Sequence, residues 1–160
     1  MKKHIDIDLS RQRLRLYEGR KLLREYPVST AEKGAGERNG SYQTPRGRHK
    51  IRAKIGRDAP VGAVFVSRRA TGEIYSKDLR ERYPGRDWIL TRILWLSGLE
   101  PGKNRLRDVD TMRRYIYLHG TPAETQLGAP GSHGCVRMAN PDIVELFELV
   151  EAGTEVNIHE

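Results

Sequence analysis

The sequence predicts a mainly β single domain with one helix, in the C-terminal half, packed on the sheet. Three observations carry this. The N-terminal third alternates apolar and polar residues with period two, the pattern of strands covered on one face. Only one stretch, Asn140 to Val150, shows a helical apolar stripe. The 160 residues, 37% hydrophobic and 31% charged, supply one core of ordinary size and not two.

In chain order, His4 to Leu9 reads as a strand. Gln12, Leu14 and Leu16 then oppose Arg11, Arg13 and Arg15 in a second one. Glu18-Gly19-Arg20 reads as a hairpin turn into a strand from Lys21 to Thr30. Gly34, Gly36, Asn39 and Gly40 lie among charges and mark Ala31 to Tyr42 as a loop. Arg46, Arg48, Lys50, Arg52 and Lys54 alternate with Gly47, His49, Ile51, Ala53 and Ile55, which predicts a strand with a basic outer face.

Ala63 to Ser67 reads as a short buried strand. Residues 68–87 carry no clear pattern beyond a helical turn near Lys77 to Tyr83. Trp88 to Leu96 predicts a core strand, Pro101 to Asp110 a polar loop, and Tyr115 to Leu118 a strand delivering His119 at its end. For the helix, Asn140 is a favourable N-cap, Pro141 fits the first helical position, and Asp142 complements the helix dipole. Ile143, Leu146, Phe147 and Val150 form its stripe, Gly153 is expected to end it, and Thr154 to His159 reads as a closing strand.

The chemistry concentrates in His119-Gly120-Thr121 and Ser132-His133-Gly134-Cys135-Val136-Arg137, which hold the only cysteine and two of the five histidines. A thiol attacks carbonyls as the thiolate, and with a free pKa of about 8.5 it needs an imidazole or positive field to ionise near neutrality. Gly134 leaves the backbone before Cys135 open to a substrate carbonyl and to N–H groups facing an oxyanion. On residue chemistry three readings stand. Cys135 is a buried structural thiol, or His119, His133 and Cys135 ligate a metal such as zinc, or Cys135 and His119 form an acyl-transfer site.

The run from His119-Gly120-Thr121 to Ser132-His133-Gly134-Cys135-Val136-Arg137-Met138 resembles the signature of the L,D-transpeptidase catalytic domain (YkuD type), bacterial enzymes of peptidoglycan stem peptides. Ile5 to Asp8, Gln12-Arg13-Leu14, Tyr26 to Thr30, and Thr44-Pro45-Arg46-Gly47 are similar to further family features in the family's order. Arg137 stands where a stricter form of the motif has Asn. The resemblance implies one catalytic domain over residues 1–160 with a β-sandwich-like fold, no cofactor and no metal. It implies Cys135 as nucleophile and His119 as base and later acid, its ring oriented by the carbonyl of Gly120. The N–H groups of Gly134 and Cys135 would form the oxyanion hole. His133, Arg137 and Ser132 are the expected substrate-binding residues, with turn stabilisation as the alternative for His133, an ion pair with an acid of the helix as the alternative for Arg137, and turn support as the expected part of the Ser132 hydroxyl. The partner implied is a stem peptide or muropeptide, cleaved between the L-centre of a diamino acid and D-Ala. Carbapenem-type inhibitors would acylate the thiol.

The net charge of +8 is also compatible with nucleic acid, but 21 acidic residues are interspersed and no nucleic-acid motif is visible, so no specific nucleic-acid partner is expected. A carboxylate-bearing peptide accounts for the same charge. No apolar run reaches the ~18 residues of a membrane helix. Ile5 to Asp8 occupy the place of a signal peptide's apolar region, which predicts a cytoplasmic protein as written, or a periplasmic one if a leader has been removed. That location favours water as acyl acceptor, an L,D-carboxypeptidase of wall recycling, over an amine acceptor in cross-linking or D-amino acid exchange.

Overall fold

A computed structural model describes all 160 residues. Its strands are β1 (Lys3–Asp8), β2 (Arg13–Glu18), β3 (Lys21–Ser29), β4 (Gly47–Ile55), β5 (Ala63–Val66), β6 (Arg69–Ile74), β7 (Ile89–Gly98), β8 (Tyr117–Thr121), β9 (Val136–Ala139) and β10 (Glu155–His159). Two helices, α1 (Lys77–Arg82) and α2 (Asn140–Leu149), complete it with one 3-10 turn at Arg107–Val109.

All ten strands join one sheet in the order β4-β10-β1-β2-β3-β9-β8-β7-β5-β6, and β4 also pairs with β7. That last pairing closes the sheet on itself. Ile5, Ile7, Leu14 and Leu16 thereby share one core cluster with Leu94, Leu96, Leu118, Val136 and Met138 and with Ile143, Leu146 and Phe147 of α2. Those of β1, β2 and α2 are the side chains that the period-two and helical patterns assign inward, whereas Val136 and Met138 lie on β9, which the sequence patterns do not announce. Two smaller clusters under the β5–β6 hairpin extend the core around Phe65 and around Trp88.

Several local expectations change. Asn140 does not cap α2: Ala139 is the N-cap residue, and Asn140 Oδ1 instead accepts from Thr91 Oγ1 at 2.7 Å. Helix α2 stops at Leu149, before Gly153, whose positive φ of 93° serves the turn into β10. His119 is the third of five β8 residues and not the strand's end. The strand β6 was not legible at all. The basic face of β4 is also interrupted: a register shift between Ile51 and Ala53 sends Lys54 toward α2. There its Nζ lies 4.3 Å from the Phe147 ring centre and donates to the carbonyls of Phe147 and Val150 at 2.6 and 2.7 Å, closing the helix C-terminus.

Candidate active site

Strand β8 lies between β7 and β9, with His119 level with Ile93 on one side and Arg137 on the other. All five of its residues are buried. The imidazole is therefore fixed by a rigid element. Its Nδ1 lies 2.6 Å from the carbonyl oxygen of Gly120, and a carbonyl only accepts, so Nδ1 carries the proton. Nε2 is left as the bare acceptor, buried and with no hydrogen-bond partner. Complete burial holds the ring's pKa below 6.5, so it is neutral at pH 7.

Cys135 sits on a turn directly before β9, and two side chains fix that turn. Ser132 Oγ donates to the Cys135 carbonyl at 2.6 Å and accepts from the Gly134 N–H at 3.2 Å. Thr44 Oγ1 donates to the Gly134 carbonyl at 2.9 Å and accepts from the Ala31 N–H at 3.0 Å. Gly134 itself has φ 133°, a region that side-chain-bearing residues avoid. Arg114 pins the segment just before Thr44 by donating to the Gln43 carbonyl at 2.6 Å.

The Cys135 thiol donates to the Tyr115 carbonyl and accepts from the Tyr117 N–H, each at 3.3 Å. Cys135 is half-buried as a residue, but desolvation by the groups packed around the sulfur pushes its pKa up to about 12, against the lowering effect of the Tyr117 N–H, with the Asp87 carboxylate adding to the rise. The resting pair is thus a neutral thiol and a neutral imidazole. The sequence suggested a thiol ionised near neutrality, and the difference is physical. Spacing shows the neighbours of a sulfur and not its desolvation.

A cavity of about 440 Å³ has Cys135 and His119 in its wall, together with Arg68, Arg114 and Arg137. A second cavity of about 340 Å³ shares Asp87, His133 and Arg137 with it. His133 is exposed and meets Tyr42 edge-on, ring centres 6.0 Å apart. Arg137 donates to the Gly131 carbonyl at 3.0 Å and to Asp87 Oδ1 at 3.3 Å, so its partner is the acid before β7 and not one in the helix.

Two of the assigned site residues take narrower roles in this geometry. Ser132 lines the same cavity but is 2% exposed with its hydroxyl engaged on both sides by the turn, so the hydroxyl supports the backbone, as its place beside the turn suggests. The Gly134 N–H is turned onto that same hydroxyl, which leaves the Cys135 N–H, free of any intramolecular bond, as the open donor of the expected pair. The metal reading finds no support in the geometry, because nowhere do three His, Cys, Asp or Glu side chains converge as ligands. Sequence reasoning missed Asp87, Arg68 and Arg114, which lie in or beside stretches without periodicity. Thr44 stood in a recognised motif, but its hydrogen bond to a residue 90 positions away left no local trace.

The model of the L,D-transpeptidase catalytic domain matches residues 2–158. The YkuD protein of Bacillus licheniformis is 26% identical over 154 residues, covering 96% of this chain and 64% of its own length. A second YkuD, from Bacillus subtilis, is 31% identical over 59% of this chain and 48% of its own. Among solved structures, Bd1075 of Bdellovibrio bacteriovorus superposes with a TM-score of 0.62 at 15% identity, over 99% of this chain and 48% of that one. The LdtMt1 L,D-transpeptidase in complex with imipenem gives 0.59 at 18% identity, over 98% and 58%. The chain thus spans about two thirds or less of these relatives. No helix is long and apolar enough to cross a membrane. With its family model matched almost end to end and Cys135 sharing one cavity wall with a strand-borne His119, the chain belongs to the L,D-transpeptidase catalytic domain family, the YkuD family of enzymes.

Proposed function

We propose that this domain cleaves peptidoglycan stem tetrapeptides through an acyl-Cys135 intermediate and passes the acyl group to water, releasing D-Ala and leaving the tripeptide. One observation carries the reading: His119, whose Nε2 is bare, buried and unpartnered, lines the cavity that also holds the thiol.

The steps follow from that protonation state. With both groups neutral at rest, the proton moves from Sγ to Nε2 as the sulfur adds to the scissile carbonyl, and no ion pair stands beforehand. The donors nearest the sulfur, the free Cys135 N–H and the Tyr117 N–H, stabilise the oxyanion. Collapse of the intermediate expels the amine of D-Ala, which takes the proton from Nε2. Water then attacks the thioester, giving its proton to Nε2, and the thiol is regenerated.

The charge lining the cavity favours water over an amine acceptor. An acceptor amine arrives as ammonium, with a pKa of about 10.4 for a lysine-like group, and requires a carboxylate to hold it. Asp87 is already paired with Arg137, and Glu124 with Arg80 and the Tyr75 hydroxyl. The alternative, transfer to an amine, is favoured only by the second cavity, which reaches the same Asp87 and His133. Solved relatives include a carbamoyl enzyme formed with avibactam and a faropenem-derived adduct. We extend that reactivity to this chain: a carbapenem is expected to add its mass to Cys135.

Product masses separate the outcomes. Tetrapeptide alone is expected to give tripeptide and D-Ala, with no product from Cys135→Ala. Efficient cross-linked dimer, or exchange with added D-amino acids and little tripeptide, would overturn the choice of acceptor.

A further inference from the structure

We propose that Arg68 is a carboxylate-binding residue that makes this site select substrates carrying a free carboxylate beside the scissile bond. The inference rests on the reading of Cys135 as a nucleophile toward stem peptides and names what else that peptide must carry.

Arg68 stands at the tip of the β5–β6 hairpin, where Val66 pairs with Arg69 and only Ser67 and Arg68 connect the strands. Both connecting residues have positive φ, 48° and 64°. Two-residue turns of this kind are the habitual place of Asn-Gly, because side-chain-bearing residues are strained there. The chain nevertheless keeps an arginine at this tip.

The guanidinium is held in one place. Its carbon lies 5.0 Å from the Trp95 ring centre and 4.6 Å from that of Tyr115, and Nη1 donates to the Tyr117 hydroxyl at 3.0 Å. Tyr115 and Tyr117 are the two residues whose backbone atoms touch the Cys135 sulfur. The cation is therefore tied directly to the frame of the nucleophile, and it lines the same cavity.

Its remaining donors are open. Of the three arginines in that cavity, Arg137 is bound to Asp87 and the Gly131 carbonyl, and Arg114 to Gly36, Ser41 and Gln43. Arg68 has no carboxylate within 4.0 Å, since none of the ion pairs includes it. A planar fork held by aromatic faces, with free N–H groups, is matched to bidentate capture of a carboxylate. In a stem tetrapeptide that group has two sources: the C-terminus of D-Ala, or a second carboxylate on the diamino acid.

Three tetrapeptides, the free acid, its C-terminal amide and its side-chain amide, titrated calorimetrically into Cys135→Ala protein, test this without turnover. One amide form is expected to bind roughly 10- to 100-fold more weakly than the acid, and which one identifies the source. Arg68→Met should bring that ratio close to one, and Arg68→Lys should leave an intermediate ratio. Circular dichroism and a melting curve verify that each variant folds. Equal affinities for all three peptides, no binding of any, or a ratio unchanged in folded Arg68→Met would overturn the proposal. If the discrimination holds while wild-type protein leaves the acid intact, the carboxylate site stands and the tetrapeptide reaction falls.

Discussion

Ser132 and Thr44 contribute hydroxyls that decide how the Cys135 backbone is presented, although neither touches the sulfur. Ser132→Ala removes the partner of two backbone groups, the buried Gly134 N–H and the part-buried Cys135 carbonyl. It is expected to cost about 1–3 kcal/mol in stability and to lower kcat, read by a melting curve beside initial rates. The pair at the centre makes a sharper claim. Because burial raises the Cys135 pKa, iodoacetamide should alkylate it more slowly than a free thiol at pH 7, and the rate should keep climbing beyond about pH 8.5, where a free thiol levels off. A plateau at or below neutrality would reveal a resting thiolate. His119 is lowered, so its base form persists as pH falls through 6.5, and the acid limb of kcat/KM should lie below that value.

At the scale of elements, β8 is held tightly between β7 and the start of α2. A Cβ on Gly120 would lie 2.2 Å from Asn140 Oδ1 and 2.7 Å from the Leu90 carbonyl, so Gly120→Ala must displace one of them. Since the Gly120 carbonyl also sets the His119 tautomer, this substitution is expected to reduce activity and stability together. Asn140→Ala, which leaves the carbonyl in place, should reduce activity less. Strand β4 carries a second buried imidazole, His49, with Nδ1 on the Gly47 carbonyl at 3.0 Å and Nε2 on Thr111 Oγ1 at 2.9 Å. Burial lowers its pKa to about 4, so below 6.5 the unfolded chain binds a proton that the folded one refuses. Stability from this group falls between pH 6.5 and about 4, by about 3 kcal/mol. His49→Gln should flatten the acid side of the stability curve, as followed by chemical denaturation at stepped pH.

The elements also show what a sequence makes legible. Strands β1, β2, β4 and β10 bury alternate residues, and their alternation announces them. The hairpin strand β6 buries none of its six residues, so no periodicity exists to be read, and Arg68 beside it was invisible as a site residue. Asn140 has the chemistry of a cap, but a longer-range partner, Thr91, claimed its side chain. The Cys135 and His119 placement was legible because a motif carries it. The Ser132 hydroxyl was legible as a turn support, but its exact partners and the desolvation of the thiol were not, since both depend on the three-dimensional neighbourhood.

Across the whole molecule the excess of eight positive charges is less uniform than it looks in sequence. Arg46 pairs with Glu37 and Glu160, Arg48 with Glu155, Arg24 with Glu145 and Arg80 with Glu124. These exposed pairs contribute little to stability individually. They do neutralise much of the surface, whereas the cavity around Cys135 keeps Arg68 and Arg114 without acidic partners. Positive potential is thus retained where an anionic peptide would enter. The most direct measurement of the central claim is the intact mass of the protein, quenched at short times after mixing with tetrapeptide, with the adduct located by peptide mapping. The account predicts a transient tripeptidyl adduct on Cys135 that appears with release of D-Ala and is absent from Cys135→Ala. Release of D-Ala at an undiminished rate by Cys135→Ala, or an adduct on another residue, would contradict it.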